Sequence, residues 1–143
     1  MLIKQLKVLY IEDDKASREK LSFFLEQKTS KVTVCEDGLD GLAAFKEDRP
    51  DIVISDIKMP NLDGLGMVKE MKKIDQDVMV IFISAYSDPS LVVQALELGV
   101  KRFIFKPLRY KELEKSLDDI DQLQLDMSGE HKMKIEACRN QNQ

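Results

Sequence analysis

The sequence predicts an α/β fold, with a parallel sheet held between two layers of helices, and three observations carry that expectation. Short apolar runs of strand length recur along the chain, stretches of helical period separate them, and the runs do not alternate with polar residues. Alternation marks a sheet with one wet face. Continuous apolar runs mark strands buried on both faces, as in sheets built from successive βα units.

The first strand is expected at Leu6–Ile11 (LKVLYI) and the second at Lys31–Cys35 (KVTVC). The third is Asp51–Ser55, the fourth Asp77–Ser84 (DVMVIFIS) and the fifth Lys101–Phe105 (KRFIF). Val, Ile and aromatic side chains dominate these runs, because branched and ring side chains suit a pleated, buried surface. Between them, Ser17–Gln27 places Leu21, Phe24 and Leu25 on one helical face, and Leu39–Glu47 carries Leu42, Ala43 and Phe45. A third helix, Leu65–Lys73, presents Met67, Val68 and Met71. In Pro89–Leu98 the apolar set is Leu91, Val92, Ala95 and Leu96, with Asp88 as a capping carboxylate before a proline at the first helical position. A last helix begins near Leu108 and sets Leu113, Leu117 and Ile120 at spacings of four and three. The βα unit thus repeats five times. Right-handed crossovers leave few topologies, and the three-layer doubly wound form, with strand order 2-1-3-4-5, fits a chain of 143 residues.

Composition narrows the function. The chain is 43% hydrophobic and 34% charged, as a globular protein with a densely charged surface should be. A net charge of −4 gives no general attraction to nucleic acid, so no direct nucleic-acid contact is expected. Cys35 and Cys138 are far apart and lack the spacing of a metal or redox motif, which suits a reducing compartment. No apolar run approaches the roughly 20 residues of a membrane span, and MLIKQLK lacks a signal-peptide core. A cytoplasmic protein without membrane contact is the expectation.

In doubly wound sheets, ligands bind beyond the carboxyl ends of the strands. Glu12-Asp13-Asp14 follows the first strand, Asp56 the third, Ser84 ends the fourth, and Lys106-Pro107 follows the fifth. Clustered carboxylates repel one another when desolvated, so a hard cation is their natural neutraliser. Magnesium fits best, with manganese as a substitute, because a few carboxylates, a phosphate oxygen and waters complete an octahedral shell. A lysine opposite the acids can hold an anion, and a serine hydroxyl can add a hydrogen bond to it. Nucleophilic carboxylate, divalent cation, lysine and hydroxyl make a phosphoryl-transfer site.

The set IEDD, DIVISDIKMPNLDG, FISA and FKPL, in this order, resembles the receiver domain of two-component response regulators over roughly residues 5–122. The resemblance implies the flavodoxin-like form of the fold and makes Asp56 the phosphoacceptor, served by a histidine kinase or a phosphotransfer protein. It assigns Asp13, Asp56 and the backbone carbonyl of Lys58 to magnesium, with Glu12 bound more remotely. Lys106 would hold the phosphoryl oxygens, Ser84 would move to bond one of them, and the ring of Phe103 would turn inward in response. Pro60 and Gly64 match the turn after the acceptor, and Pro107 the family's usual cis peptide. Serine and phenylalanine stand where threonine and tyrosine are frequent, keeping the hydroxyl and the ring. The expected output surface is the fourth helix, fifth strand and fifth helix, which would also serve any self-association. Lys58 and Tyr86, two residues past Asp56 and Ser84, flank the site and could tune the lifetime of the phosphorylated form.

Blander readings compete for each residue alone. Asp14 reads as a helix cap, not a ligand. Met59, Met67, Met71 and Met79 read as packing, and His131, in a polar stretch after Gly129, as a solvated tail residue. An interaction module with a dead site would lack Asp13, Asp56 or Lys106, and all three are present. A hydrolase of small phosphate esters needs a second aspartate two residues past its nucleophile, where Lys58 stands. The expectation is a switch in residues 1–122 that is no enzyme beyond its own phosphorylation and dephosphorylation. Residues 123–143 read as a tail or linker, too short for an output domain.

Overall fold

The alternation of side chains along each strand decides how this chain layers. Residues described in the computed structural model are 5–85 and 88–123. Lys7–Ile11 (β1), Lys31–Cys35 (β2), Ile52–Asp56 (β3), Val80–Ser84 (β4) and Arg102–Phe105 (β5) form one parallel sheet in the order β2-β1-β3-β4-β5. Lys15–Lys28 (α1), Gly38–Glu47 (α2), Gly64–Ile74 (α3), Pro89–Glu97 (α4) and residues 110–123 (α5) are the helices. This is the flavodoxin-like arrangement expected from the sequence.

Because strand side chains point alternately to opposite faces, the sheet feeds two cores. Val8, Tyr10, Ile52, Ile54, Ile81, Ile83 and Ile104 pack on Leu21 and Leu25 of α1 and on Leu113, Leu117 and Ile120 of α5. Leu9, Ile11, Val53, Val80 and Phe82 pack on Phe45, Met67, Val68, Met71 and Ala95 of the other three helices. Each such buried aliphatic or ring contributes roughly 1.5–3 kcal/mol over leaving it in water. Two-sided burial is why the strands read as continuous apolar runs.

The helices start where polar caps meet the carboxyl edge of the sheet. Asp14, Asp37 and Asp63 each accept a hydrogen bond from the amide three residues on, at 2.9, 2.9 and 2.8 Å. Each thereby satisfies one of the free N–H groups of a first helical turn. Asp14 is therefore a cap, as expected. Asp88 stands at the N-cap of α4 ahead of Pro89, as expected, but its side chain makes no capping bond. Its carboxylate is drawn instead to the Lys58 ammonium at 2.8 Å and to the Ser90 hydroxyl at 2.9 Å.

Other expectations shift. The fourth strand begins at Val80 and not Asp77, because the Asp77 amide bonds the Asp75 carboxylate (3.0 Å) and the Val78 amide the Asp75 carbonyl (3.3 Å). Ala43 and Leu96, expected on buried faces, are exposed, Leu96 by 53%. Cys35 is buried as a free thiol, and burial pushes its pKa up to about 11. Cys138, His131 and Tyr86 lie outside the described residues. Among the described residues no helix is long and apolar enough to cross a membrane.

Candidate functional site

Parallel strands in register bring distant residues to one edge. Asp56 pairs with Ile83 across β3 and β4, so Ser84 projects one residue beyond it. The Lys106 amide donates to the Ser84 carbonyl at 2.8 Å, which fixes the lysine just past the end of β5. The Glu12 amide donates to the Cys35 carbonyl at 3.0 Å, holding the acid pair at the end of β1. Residues separated by as much as 94 positions thus share one edge without any being placed by a flexible loop alone.

Asp56 sits at the centre. Its Oδ1 accepts from its neighbour's amide, Ile57 N, at 2.8 Å, and its Oδ2 accepts from Lys106 Nζ at 2.9 Å. The two bonds fix the plane of the carboxylate. Only 13% of the Asp56 side chain is exposed, against 43% for Lys106, so the acid is partly desolvated while the ammonium reaches in from solvent. Burial opposes the charge on Lys106, but Asp56, Glu12 and Asp13 outweigh it and hold its pKa above the ordinary lysine value.

Glu12, Asp13 and Asp56 each bring one carboxylate oxygen within 4.8 Å of the others. Glu12 is buried, Asp13 exposed and Asp56 between them. Burial, reinforced by the adjacent Asp56, pushes Glu12 up to about 8, so this edge resists carrying the charge of all its acids at once. One lysine cannot balance the full set. Three oxygen donors of graded exposure suit a hard divalent cation, which would relieve the repulsion among them.

Gly64 lets the edge close. Its amide donates to the Ile57 carbonyl at 2.7 Å, and a Cβ there would stand 2.5 Å from the Asp56 carbonyl oxygen and 2.9 Å from Ile57 Cα. Only a residue without a side chain lets α3 start this near Asp56. Asn61, the described non-glycine residue with positive φ (68°), makes the preceding turn and ties it to Asp37 with a 2.7 Å bond.

The remaining expected residues lie nearby but engage other partners. The Ser84 hydroxyl is buried and donates to the Ala85 carbonyl at 3.4 Å, not to Asp56. Phe103 is half-buried, its ring 6.5 Å from Phe82 and stacked 6.3 Å from Phe105. Lys58 follows Asp56 by two, its ammonium turned to Asp88. The peptide bond between Lys106 and Pro107 is cis. Arg18 was not singled out by the sequence, yet its guanidinium donates to the carbonyls of both Glu12 (3.0 Å) and Asp13 (3.2 Å). In a helix rich in charge it looks like one more solvated cation. The only signal is its position on the first turn after the acid pair.

Comparison with known proteins gives the family. Residues 8–118 match the response regulator receiver domain family. The chain is 40% identical over 103 residues to the transcriptional regulatory protein CseB of Streptomyces coelicolor, covering 72% of this chain and 44% of CseB. It is 34% identical over 104 residues to the chemotaxis protein CheY of Bacillus subtilis, covering 72% of this chain and 87% of CheY. The solved N-terminal domain of an uncharacterized Wolinella succinogenes protein superposes with a TM-score of 0.81 at 37% identity, covering 85% of this chain and 98% of that one. A response regulator receiver domain protein from Clostridium thermocellum gives 0.78 at 27% identity, with the same coverage of 85% and 98%. The chain spans about half the length of the transcriptional regulators it matches. It belongs to the response regulator receiver domain family of two-component signalling.

Proposed function

We propose that this receiver is switched by phosphorylation of Asp56, with a histidine kinase or phosphotransfer protein as the donor. The observation that carries the reading is the 2.9 Å pair between Lys106 and Asp56 set against a buried Glu12 and an exposed Asp13. A carboxylate oxygen of Asp56 attacks phosphorus, the bond from phosphorus to the donor's imidazole nitrogen breaks, and the imidazole leaves with the electron pair. Lys106 is placed to follow the charge from the carboxylate to the phosphoryl oxygens, and the Ile57 amide keeps the carboxylate oriented. Magnesium, or manganese in its place, would be held by Asp13, Asp56 and the Lys58 carbonyl, with Glu12 more remote, and supplies positive charge to the transferring group.

Output runs through α4, β5 and α5. Ser84 leaving the Ala85 carbonyl for the phosphoryl group would open space beside Phe103, turning a charge event into a packing change. Self-association on that same surface belongs to this reading, as does a cytoplasmic setting. Beyond its own phosphorylation and dephosphorylation the domain does no chemistry. Small phosphate esters are not substrates, since Lys58 occupies the place of a second acid and is itself neutralised by Asp88.

Incubation with acetyl phosphate and magnesium should add one phosphoryl group by intact mass. Asp56→Asn and EDTA should each abolish it, and amide exchange in residues 88–110 should change with a beryllofluoride mimic. An undiminished adduct in Asp56→Asn would move the acceptor elsewhere.

A further inference from the structure

We infer that Arg18 is a positioning residue for the cation site, acting through the backbone of Glu12 and Asp13; the inference rests on the magnesium reading above. Nη1 of Arg18 donates to the Glu12 carbonyl at 3.0 Å and to the Asp13 carbonyl at 3.2 Å. These carbonyls belong to the two peptide planes that flank Asp13. Peptide units are planar, so fixing both planes fixes the two backbone torsions of Asp13 and the direction in which its carboxylate leaves the chain. Asp13 is exposed and needs such a brace, whereas Glu12 is held by burial.

The brace is itself firmly seated. Arg18 stands one turn into α1, its amide bonded to the Asp14 carbonyl at 2.9 Å, and its side chain is only 16% exposed. A guanidinium stays protonated, and the two N–H groups of its one terminal nitrogen Nη1 serve the two successive carbonyls. Its other nitrogen, Nη2, lies 3.4 Å from Glu36, which is 73% exposed and contributes little.

The sign of the effect separates positioning from charge. Removing a cation beside three acids should tighten magnesium binding if Arg18 acts only through its field. Removing a brace should weaken it, by about 10- to 100-fold, as loss of groups that orient metal ligands does.

Calorimetric titration with magnesium alone on Arg18→Met, Arg18→Lys and Glu36→Gln tests the inference, with melting in EDTA as the check on folding. We expect the Met variant to weaken magnesium by at least about tenfold, the Lys variant to fall between it and wild type, and Glu36→Gln to stay within about twofold. At saturating magnesium, Asp56 phosphorylation in Arg18→Met should return to near the wild-type rate. Unchanged or tighter magnesium binding in Arg18→Met overturns the inference. Should that variant melt out, wild-type affinity in Arg18→Lys overturns it equally, since the ammonium keeps the charge but ends one atom short of the Nη1 position. Absence of magnesium binding in the wild-type protein would instead remove the cation reading on which this one stands.

Discussion

The two ends of the sheet treat their carboxylates in opposite ways. At the amino edge Asp48 lies between two lysines, Lys7 at 2.7 Å and Lys31 at 2.9 Å, and their hydrogen bonds hold its pKa down to about 2. At the carboxyl edge Glu12, Asp13 and Asp56 share Lys106, and Glu12 is pushed up to about 8. One edge is neutralised by the chain itself; the other is left short of positive charge. Asp121 shows that a raised pKa does not by itself mark a site. Among the described residues its Oδ2 is buried without a hydrogen-bond partner and no second reactive group meets it, while burial, then Asp118 and Asp51, push its carboxyl above the ordinary range. The lesson is that function follows several under-neutralised groups together, not one displaced acid.

Three substitutions sharpen or break this contrast. The largest effect should come from Lys106→Met, which removes the cation that meets Asp56. Phosphorylation by acetyl phosphate, followed by mass, should slow about 100-fold or more, in line with loss of a positioned donor at a site of developing charge. A rate within about threefold of wild type, too small for such a loss, would mean that Lys106 only decorates the edge.

Next comes Asp121→Asn. A raised folded-state pKa means the carboxyl favours the fold below its ordinary value of 3.8 and loses that support as pH rises through the raised value. The amide cannot ionise, so the variant should melt a few degrees higher at neutral pH, with the gain fading on acidification. A lower melting temperature at neutral pH would show that Asp121 makes a contact the fold needs.

The smallest effect belongs to Asp48→Asn. Here the sign reverses, because a depressed pKa gives stability that is present above 3.8 and lost as pH falls through about 2. The pair is exposed, so the melting temperature should fall only slightly at neutral pH and recover in high salt. A loss that salt does not reduce would contradict a screened surface pair.

Much of this molecule was legible in its sequence, and the parts that were not share a cause. Five apolar runs announced five strands, and the acids, hydroxyl and lysine expected at their ends do lie along one sheet edge. Periodicity is silent where a side chain bonds locally: Asp75 turns back Asp77 and Val78, shortening β4. The carboxylate of Asp88 was misread because capping chemistry is local, while its partner Lys58 comes from another loop. Arg18 was missed for the same reason in reverse. Its acceptors are backbone carbonyls, which carry no residue-type signal.

The span between Asp56 and Lys106 has a consequence during synthesis. Fifty residues separate them, and β5 with Lys106 leaves the ribosome after every other strand. A chain stalled, or cut, before that point carries Asp56 without the lysine that meets it. The pair between Asp56 and Lys106 therefore forms only when the last strand joins the sheet, and on the function proposed above full competence to receive the signal comes late in synthesis.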